Sequence, residues 1–481
     1  MIDKDKRFYL YITVACAIIY VFPIILSNTY YIDDMDRVMY AYGLRHEGRI
    51  LYDIVIQTLS FGSHISDLYP YAQILAASLM AMAGYIIANL FDIEAKSKFK
   101  ISALVLFTNP FFVENLSYRL DSLTMSLSIF ICILPFIYYK NTIKFVLASI
   151  ICTLCSLFLY QQSILCYACM VLLCIIFLIK TNENMKKLAT LCFLSSASLI
   201  LTIILFKLIY THFGINFGGR NTTILSSNEP FLQLYLNYKN CVALISLLFT
   251  PEYIISILSI AIISASLLFI NFFSSKEKWK LFVIATAILL IILCIPAINL
   301  ILENPWWTSR TFGAYPFLFY ALLIAPVNFK EILVKISTSI MLLFSLSFMT
   351  AYASTLNAND KFLMTLSNQI SSKIGDTTDI KLIFNGTMPS SPARDYLEYK
   401  YPLIKKIVPS YMDNGWYWGT AYLKFNGVLN SNYFISGSER DEQIKNICSF
   451  NLISKETYFN ILKKDDYAII DFNKIECSGQ E

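Results

Sequence analysis

The sequence predicts an α-helical polytopic membrane protein of about 11 transmembrane helices, N-terminus inside and C-terminus outside, followed by a small C-terminal α/β domain. Two observations predict the membrane part. Of the 481 residues 57% are hydrophobic and only 15% charged, with a mean hydropathy of +0.57, which excludes a string of soluble domains. Apolar runs long enough to cross a bilayer also recur from residue 8 to residue 351. The third observation concerns the remainder: from residue 352 onward hydropathy falls while Asn, Ser, Asp and Lys rise, over a length sufficient for one small domain. The net charge of +5 gives no support to nucleic-acid binding.

The predicted spans lie near 8–27, 69–91, 101–117, 122–139, 145–160, 163–179, 188–210, 251–273, 281–299, 312–327 and 334–351. An odd total places the two termini on opposite sides. The first run has the basic start and apolar core of a secretory signal but no small-residue cleavage site after it, so it is expected to stay as an anchor. With the N-terminus inside, the inner segments hold sixteen basic residues from Lys4 to Lys335 and the outer loops seven, although the outer loops are longer in total. The type of cation differs as well. All the inner residues except Arg7 are Lys, whereas Arg37, Arg45, Arg49, Arg119, Arg220 and Arg310 join only Lys239 outside. Topology needs no particular cation, but the planar guanidinium binds phosphate or carboxylate bidentately, so an Arg-rich outer face suggests an anionic ligand. Interfacial snorkelling and loop salt bridges are the alternative.

The division expected is a membrane domain over 1–351, with functional outer loops at 28–68, 114–121, 211–250 and 300–311, and a soluble domain over 352–481. In the latter, Ile380–Phe384 (IKLIF) and Tyr467–Phe472 (YAIIDF) read as strands, with helix near Asp441–Cys448 between them. Ten of the twelve cysteines sit in or beside apolar runs, where a thiol is a small hydrophobe. Cys448 and Cys477 fall in the polar region instead, and an oxidising outer compartment favours a disulfide between them.

Charge beside a bilayer is costly and persists where it is paired, lines water or acts. Directly after the first span come Asp33, Asp34, Asp36 and Arg37, opening a segment with helical apolar spacing through Val55 that is expected to lie along the outer interface. Helix capping accounts for one aspartate or two. Three within four residues suggest a general base. A second outer loop repeats the chemistry: Asn109-Pro110 breaks the third run, and Glu114, Arg119 and Asp121 follow. Tyr160-Gln161-Gln162 lies at a tight turn, Arg220 follows Phe217-Gly218-Gly219, and Trp306-Trp307-Thr308-Ser309-Arg310 precedes the tenth span. Such aromatics form a membrane-interface belt, or else supply the rings on which a sugar stacks while Asp, Gln and Asn take its hydroxyls. Gly415-Trp416-Tyr417-Trp418-Gly419 repeats that composition in the soluble region, where it equally suits a packed turn. His46, His64 and His212 have no ligand partners at metal spacing, and no phosphate loop, serine elbow or HExxH occurs, so neither metal nor nucleotide is expected.

These stretches, YIDDMDR (31–37), GR (48–49), NPFFVENLSYRLDSL (109–123), YQQS (160–163) and WWTSR (306–310), resemble the bacterial glucosyl transferase II family, the serotype-converting O-antigen glucosyltransferases of GT-C fold. The resemblance implies a multi-pass enzyme of the bacterial inner membrane with its active site facing the periplasm. It would move a sugar, glucose by family, from undecaprenyl phosphate to O-antigen or lipopolysaccharide repeat units, modifying serotype. A polyprenyl-phosphate glycosyltransferase and a flippase would act upstream, and no metal or other cofactor would be needed. On that reading Asp34, and next Asp33, is the catalytic base. Asp36 orients or caps; Arg119, Arg220 and Arg310, with Arg37 and Arg49, hold the departing phosphate. Asp121, Tyr160, Gln161 and Trp307 complete the substrate-binding set. An O-antigen polymerase is the first rival, although such enzymes carry their large outer loop centrally. A flippase or transporter of lipid-linked sugar is the second, although these place charge within spans and often show repeats.

Overall fold

The computed structural model describes residues 4–214, 222–274, 277–326, 330–375, 379–429 and 433–477. They fall into two compact units, one comprising 1–26 and 42–350, the other 27–41 and 351–481. The expected first outer loop is thus divided: Asp33, Asp34, Asp36 and Arg37 group with the C-terminal residues, Arg45 and Arg49 with the first unit.

The helices in chain order are α1 (Lys4–Ser27), α2 (Asp34–Tyr40), α3 (Ile50–Leu59), α4 (Tyr71–Leu90), α5 (Val113–Ser117), α6 (Ser122–Ile133), α7 (Thr142–Leu159), α8 (Ile164–Lys180) and α9 (Met185–His212). They continue with α10 (Pro230–Ser246), α11 (Pro251–Ser274), α12 (Lys278–Cys294), α13 (Ala297–Ile301), α14 (Pro316–Ile324) and α15 (Glu331–Ile374). Among the described residues seven helical segments are long and apolar enough to cross a membrane: those of α1, α4, α7, α8, α9, α11 and α15. Three of the other four expected spans are shorter helices. The run 122–139 gives α6 and a 3-10 turn from Leu134 with Pro135 in its first turn, 281–299 gives the 17 residues of α12 and then α13, and 312–327 gives the nine of α14.

The expected span at 101–117 is no continuous helix. It consists of 3-10 turns at Ile101–Leu104 and Pro110–Phe112 and the five-residue α5, with the Asn109 side chain accepting the Phe111 N–H. Residues 102–117 are all buried. Their hydrophobicity matches a protein surround rather than lipid, a distinction a hydropathy window does not make. At Gly84 on α4 a Cβ would lie 2.1 Å from the Ala103 carbonyl oxygen, so only glycine allows this segment its approach.

Helix contacts in this unit use small polar residues. α6 packs on α4 and α7, α7 on α9, and α8 on α12 and α14. Ser128 and Ser163 hydroxyls lie 2.5 Å apart, Thr153 and Thr202 2.8 Å, and the Cys132 thiol donates to Ser156. Such pairs hold helices together where lipid offers no hydrophobic driving force. Cys132, Cys166, Cys169 and Cys174 are buried thiols of this packing.

The interfacial helix expected from residue 33 to 55 is broken. α2 ends at Ala41, which takes a left-handed conformation, and α3 starts only at Ile50. Between them the Asp53 carboxylate gathers the backbone N–H groups of Leu44 and Arg45 at 2.7 and 3.1 Å. A Cβ at Gly43 would collide with that carboxylate at 2.3 Å.

In the second unit, α2 is joined by the later part of α15 and by β1 (Lys381–Asn385), α16 (Pro392–Lys400), α17 (Leu403–Ile407), α18 (Tyr417–Phe425), α19 (Gly437–Lys445), β2 (Asn451–Lys455), β3 (Asn460–Lys464) and β4 (Tyr467–Asp471). The sheet order is β1-β4-β3-β2, with β1 parallel to β4 and the other pairs antiparallel. Both predicted strands and the predicted helix are present. One core of Leu363, Leu366, Ile370, Leu382, Phe384, Phe459 and Ile470 lies between helices and sheet, and a smaller one around Ile383, Ile447 and Ile469. The Cys448–Cys477 disulfide is formed, with an S–S distance of 2.00 Å.

Candidate active site

In the membrane unit the expected residues gather around Glu114–Asp121, the segment running from α5 toward α6. Asp121 lies 3.7 Å from Arg49, whose guanidinium also meets Glu47 at 3.4 Å and lies over the Tyr160 ring at 5.3 Å. Arg119 pairs with Asp67 at 3.0 Å and covers the Tyr69 ring at 4.2 Å. Arg310 donates to the Tyr118 hydroxyl at 2.6 Å and lies 5.0 Å over the same ring. Each of the three guanidiniums therefore rests on a tyrosine face, a placement that fixes the planar fork at little entropic cost.

Glu114 ties the WWTSR stretch to this segment. Its Oε2 accepts the Ser309 hydroxyl at 2.6 Å and the Arg310 backbone N–H at 2.9 Å. The Tyr160 hydroxyl donates to the Arg310 carbonyl, and Arg310, Arg49, Glu114 and Asp121 all act electrostatically on it. Gln161 donates to the Glu47 carbonyl, and Gln162 to Asn299, which in turn donates to Thr311 and the Trp306 carbonyl. Asp121, Glu114 and Arg119 are all at most 3% exposed. Two buried donors, Arg49 Nε–H and the Trp307 indole N–H, have no acceptor among the described residues.

In the second unit, Asp33 precedes α2 but does not cap it with its side chain. It lies 3.9 Å from Arg37, which is wholly buried. Asp34 is fully enclosed, whereas the Asp33 side chain is 25% exposed. Asp36 accepts the Tyr417 hydroxyl at 2.7 Å. Burial first, then the bond and charge of Asp36, pushes that phenol well above its usual range. Arg220 lies outside the described residues. Asn115 and Asn385, each the first residue of an N-x-S/T triplet in the sequence, are buried and hydrogen-bonded.

Asp67, Tyr69 and Tyr118 are the partners that sequence reasoning left out, Ser309 and Tyr417 appeared only within aromatic stretches, and Glu114 was visible only as an acid beside Arg119. Each acts across about 50 to 400 positions of chain, and none carries a distinguishing spacing of its own.

Comparison with known proteins settles the family. Residues 22–327 match the model of glucosyl transferase GtrII. The chain belongs to the glucosyl transferase GtrII family. The family match ends before the sheet of the second unit. A relative spanning nearly the whole length is similar too: a Salmonella phage P22 protein named "Uncharacterized 55.3 kDa protein in gtrB 5′ region" is 27% identical over 474 residues, covering 91% of this chain and 93% of its own. No solved structure matches. Family membership makes the chain a glycosyltransferase, with a sugar donor and an acceptor, and a glucosyl transfer in O-antigen modification is the activity the family suggests.

Proposed function

We propose that the chain transfers glucose from undecaprenyl phosphate to O-antigen repeat units at the periplasmic face of the inner membrane. The observation that carries the reading is the set of arginines laid on tyrosine rings, Arg119 buried and Arg49 and Arg310 partly so, with the buried Arg49 Nε–H and Trp307 N–H left without an acceptor among the described residues. Buried donors without partners call for a ligand rich in oxygen. Fixed, partly desolvated guanidiniums suit a phosphate that gains charge as it leaves. Asp121 and Glu114 orient the arginines, and Tyr160 and Gln161 line the same segment.

The reaction needs one displacement. An acceptor hydroxyl oxygen bonds to the anomeric carbon, the bond from that carbon to the carrier phosphate breaks, and the phosphate departs with the electron pair while a carboxylate takes the hydroxyl proton. The base is one of the pair Asp33 and Asp34. Exposure favours Asp33 as the group a hydroxyl can reach, with Asp34 and Asp36 orienting it and Arg37 countering their charge. Donor and acceptor suffice without metal or other cofactor, and the carrier-loading glycosyltransferase and a flippase act upstream.

The test is transfer of labelled glucose from undecaprenyl phosphate to O-polysaccharide by the purified full chain in liposomes. Asp33→Asn should lower kcat by about 10²–10⁴-fold. Full activity in both Asp33→Asn and Asp34→Asn would overturn the assignment of the base. Movement of the lipid-linked sugar across the bilayer without transfer by the wild type would make the chain a transporter instead.

A further inference from the structure

The stretch Gly415-Trp416-Tyr417-Trp418-Gly419 stands where the second unit turns from Asp413-Asn414 into α18. Trp416, Tyr417 and Trp418 are each partly exposed. Their inner sides are accounted for: Trp416 stacks on Tyr411 with centroids 6.3 Å apart, and Tyr417 meets Trp418 at 5.2 Å and Phe434 at 5.3 Å. A packed turn explains that much.

It does not explain the two residues before them. Asp413 spends one oxygen, Oδ1, on both the Thr387 hydroxyl and the Asn414 backbone N–H. Asn414 likewise accepts with its single side-chain oxygen from the Gly386 N–H at 2.8 Å and from Arg440 Nη2 at 3.0 Å. Both side chains are thus held from behind through one atom each. Asp413 Oδ2 and the Asn414 amide NH₂ have no hydrogen-bond partner among the described residues, and Asn414 is exposed. Glycine is required for the arrangement: at Gly415, with φ +66°, a Cβ would lie 2.8 Å from Arg440 Cδ. A fixed acceptor and a fixed donor on adjacent residues, beside half-exposed aromatic rings, match neighbouring hydroxyls of a pyranose whose C–H face rests on a ring. Positional fixing lowers the ordering cost that weakens polar recognition in water. The carboxylate disfavours phosphate or another anion at the same place.

We infer that Asp413, Asn414 and the Trp416–Trp418 aromatics form a saccharide-binding subsite for the neutral acceptor glycan, an inference that rests on the reading of the chain as a sugar transferase onto a polysaccharide. The probe is delipidated O-polysaccharide from the bacterium that carries the chain, titrated calorimetrically onto the full-length protein in nanodiscs. Asp413→Asn and Asn414→Asp keep the inward-facing oxygens while exchanging the outward acceptor and donor. Each should weaken binding about 10-fold, and in the transfer assay raise the acceptor KM by a similar factor while the donor KM and kcat stay near wild type. Wild-type affinity in both variants overturns the subsite, as does a loss that appears only together with a lowered melting temperature in both. Polysaccharide binding that depends on these residues, in a chain that transfers nothing, would keep the subsite and sink the transferase reading. Normal transfer with unchanged acceptor KM in both variants would do the reverse.

Discussion

The two ends of the membrane unit carry charge in different ways. α1 and α4 run antiparallel, since Tyr85 reaches the Lys6 carbonyl at one end and Tyr69 the Ile25 carbonyl at the other. At the first end lysine pairs lie in the open, Lys98 with Asp5, 73% and 67% exposed, and Lys187 with Glu183, while the 9% exposed Lys100 reaches an exposed Asp92. At the second the cations are arginines on tyrosine rings, and the Arg119 and Asp121 side chains are 4% and 2% exposed. Exposed pairs contribute little to stability and satisfy any topology signal. Enclosed pairs are costly to desolvate, so their concentration at the second end points to work done there.

The sharpest way to break this contrast is to exchange cations. Arg49→Lys, Arg119→Lys and Arg310→Lys should each lower kcat by about 10²–10³-fold, as loss of a donor to developing charge does, because an ammonium keeps the charge but not the fork or the stacking. Lys98→Ala and Lys187→Ala should leave transfer near wild type. Arginine variants that work normally with lysine would reduce the second end to another topology signal.

The contrast was half legible beforehand. Arginine at one end and lysine at the other showed in the sequence, because a charge beside an apolar run is conspicuous. So did β1 and β4, whose alternation of turn and apolar residues is local. The other two strands, β2 (NLISK) and β3 (NILKK), are as polar as loops, and only pairing makes them strands. The run 101–117 was misread as a span because burial in protein and burial in lipid select the same residues. Gly43 and Asp53, ten positions apart, broke the helix expected over the first loop by a side chain-to-backbone bond that periodicity does not register. Tyr118 and Asp67 remained hidden for the opposite reason: they are ordinary residue types whose meaning comes from the arginines they meet in space.

A smaller effect sharpens the comparison through two glutamates. Glu114, 2% exposed, fixes Arg310 through its backbone, whereas Glu331 at the lysine end accepts the exposed Lys96 N–H at 2.5 Å. Glu114→Ala leaves two buried donors without an acceptor and should cost about 1–3 kcal/mol by denaturant titration, with transfer down about 10-fold as Arg310 loosens. Glu114→Gln, whose carbonyl can accept both bonds, should recover most of each. Glu331→Ala should stay within about 0.5 kcal/mol of wild type. A glutamine variant as inactive as the alanine one, yet as stable as wild type, would give the Glu114 charge a direct part in the chemistry.

The smallest effect concerns a place where the lysine end buries charge. Glu94 is 3% exposed, and its Oε2 accepts the backbone N–H and hydroxyl of Ser102 at 2.9 and 2.7 Å, docking the 3-10 turn that begins at Ile101. Its other oxygen is buried without a partner among the described residues. Burial pushes its carboxyl above the usual range, against the opposing pull of the Ser102 bonds and the Lys335 charge. Nearby Lys100 is itself pushed down by burial, against the pull of Asp92, Glu94 and Glu331. A carboxyl raised in the folded state binds its proton more tightly there than in the unfolded chain. Its contribution is therefore fully present below the unfolded carboxyl value and is lost as pH rises through the folded one. Glu94→Gln keeps an acceptor for Ser102 and removes the titration, so the variant should gain on wild type with rising pH, by about 1 kcal/mol at pH 8 and by less at pH 5. Thermal melting in detergent at the two pH values decides it, and equal differences at both would refute the titration. Transfer activity should not change with the substitution, because on this end of the unit a buried charge holds a turn in place and meets no substrate.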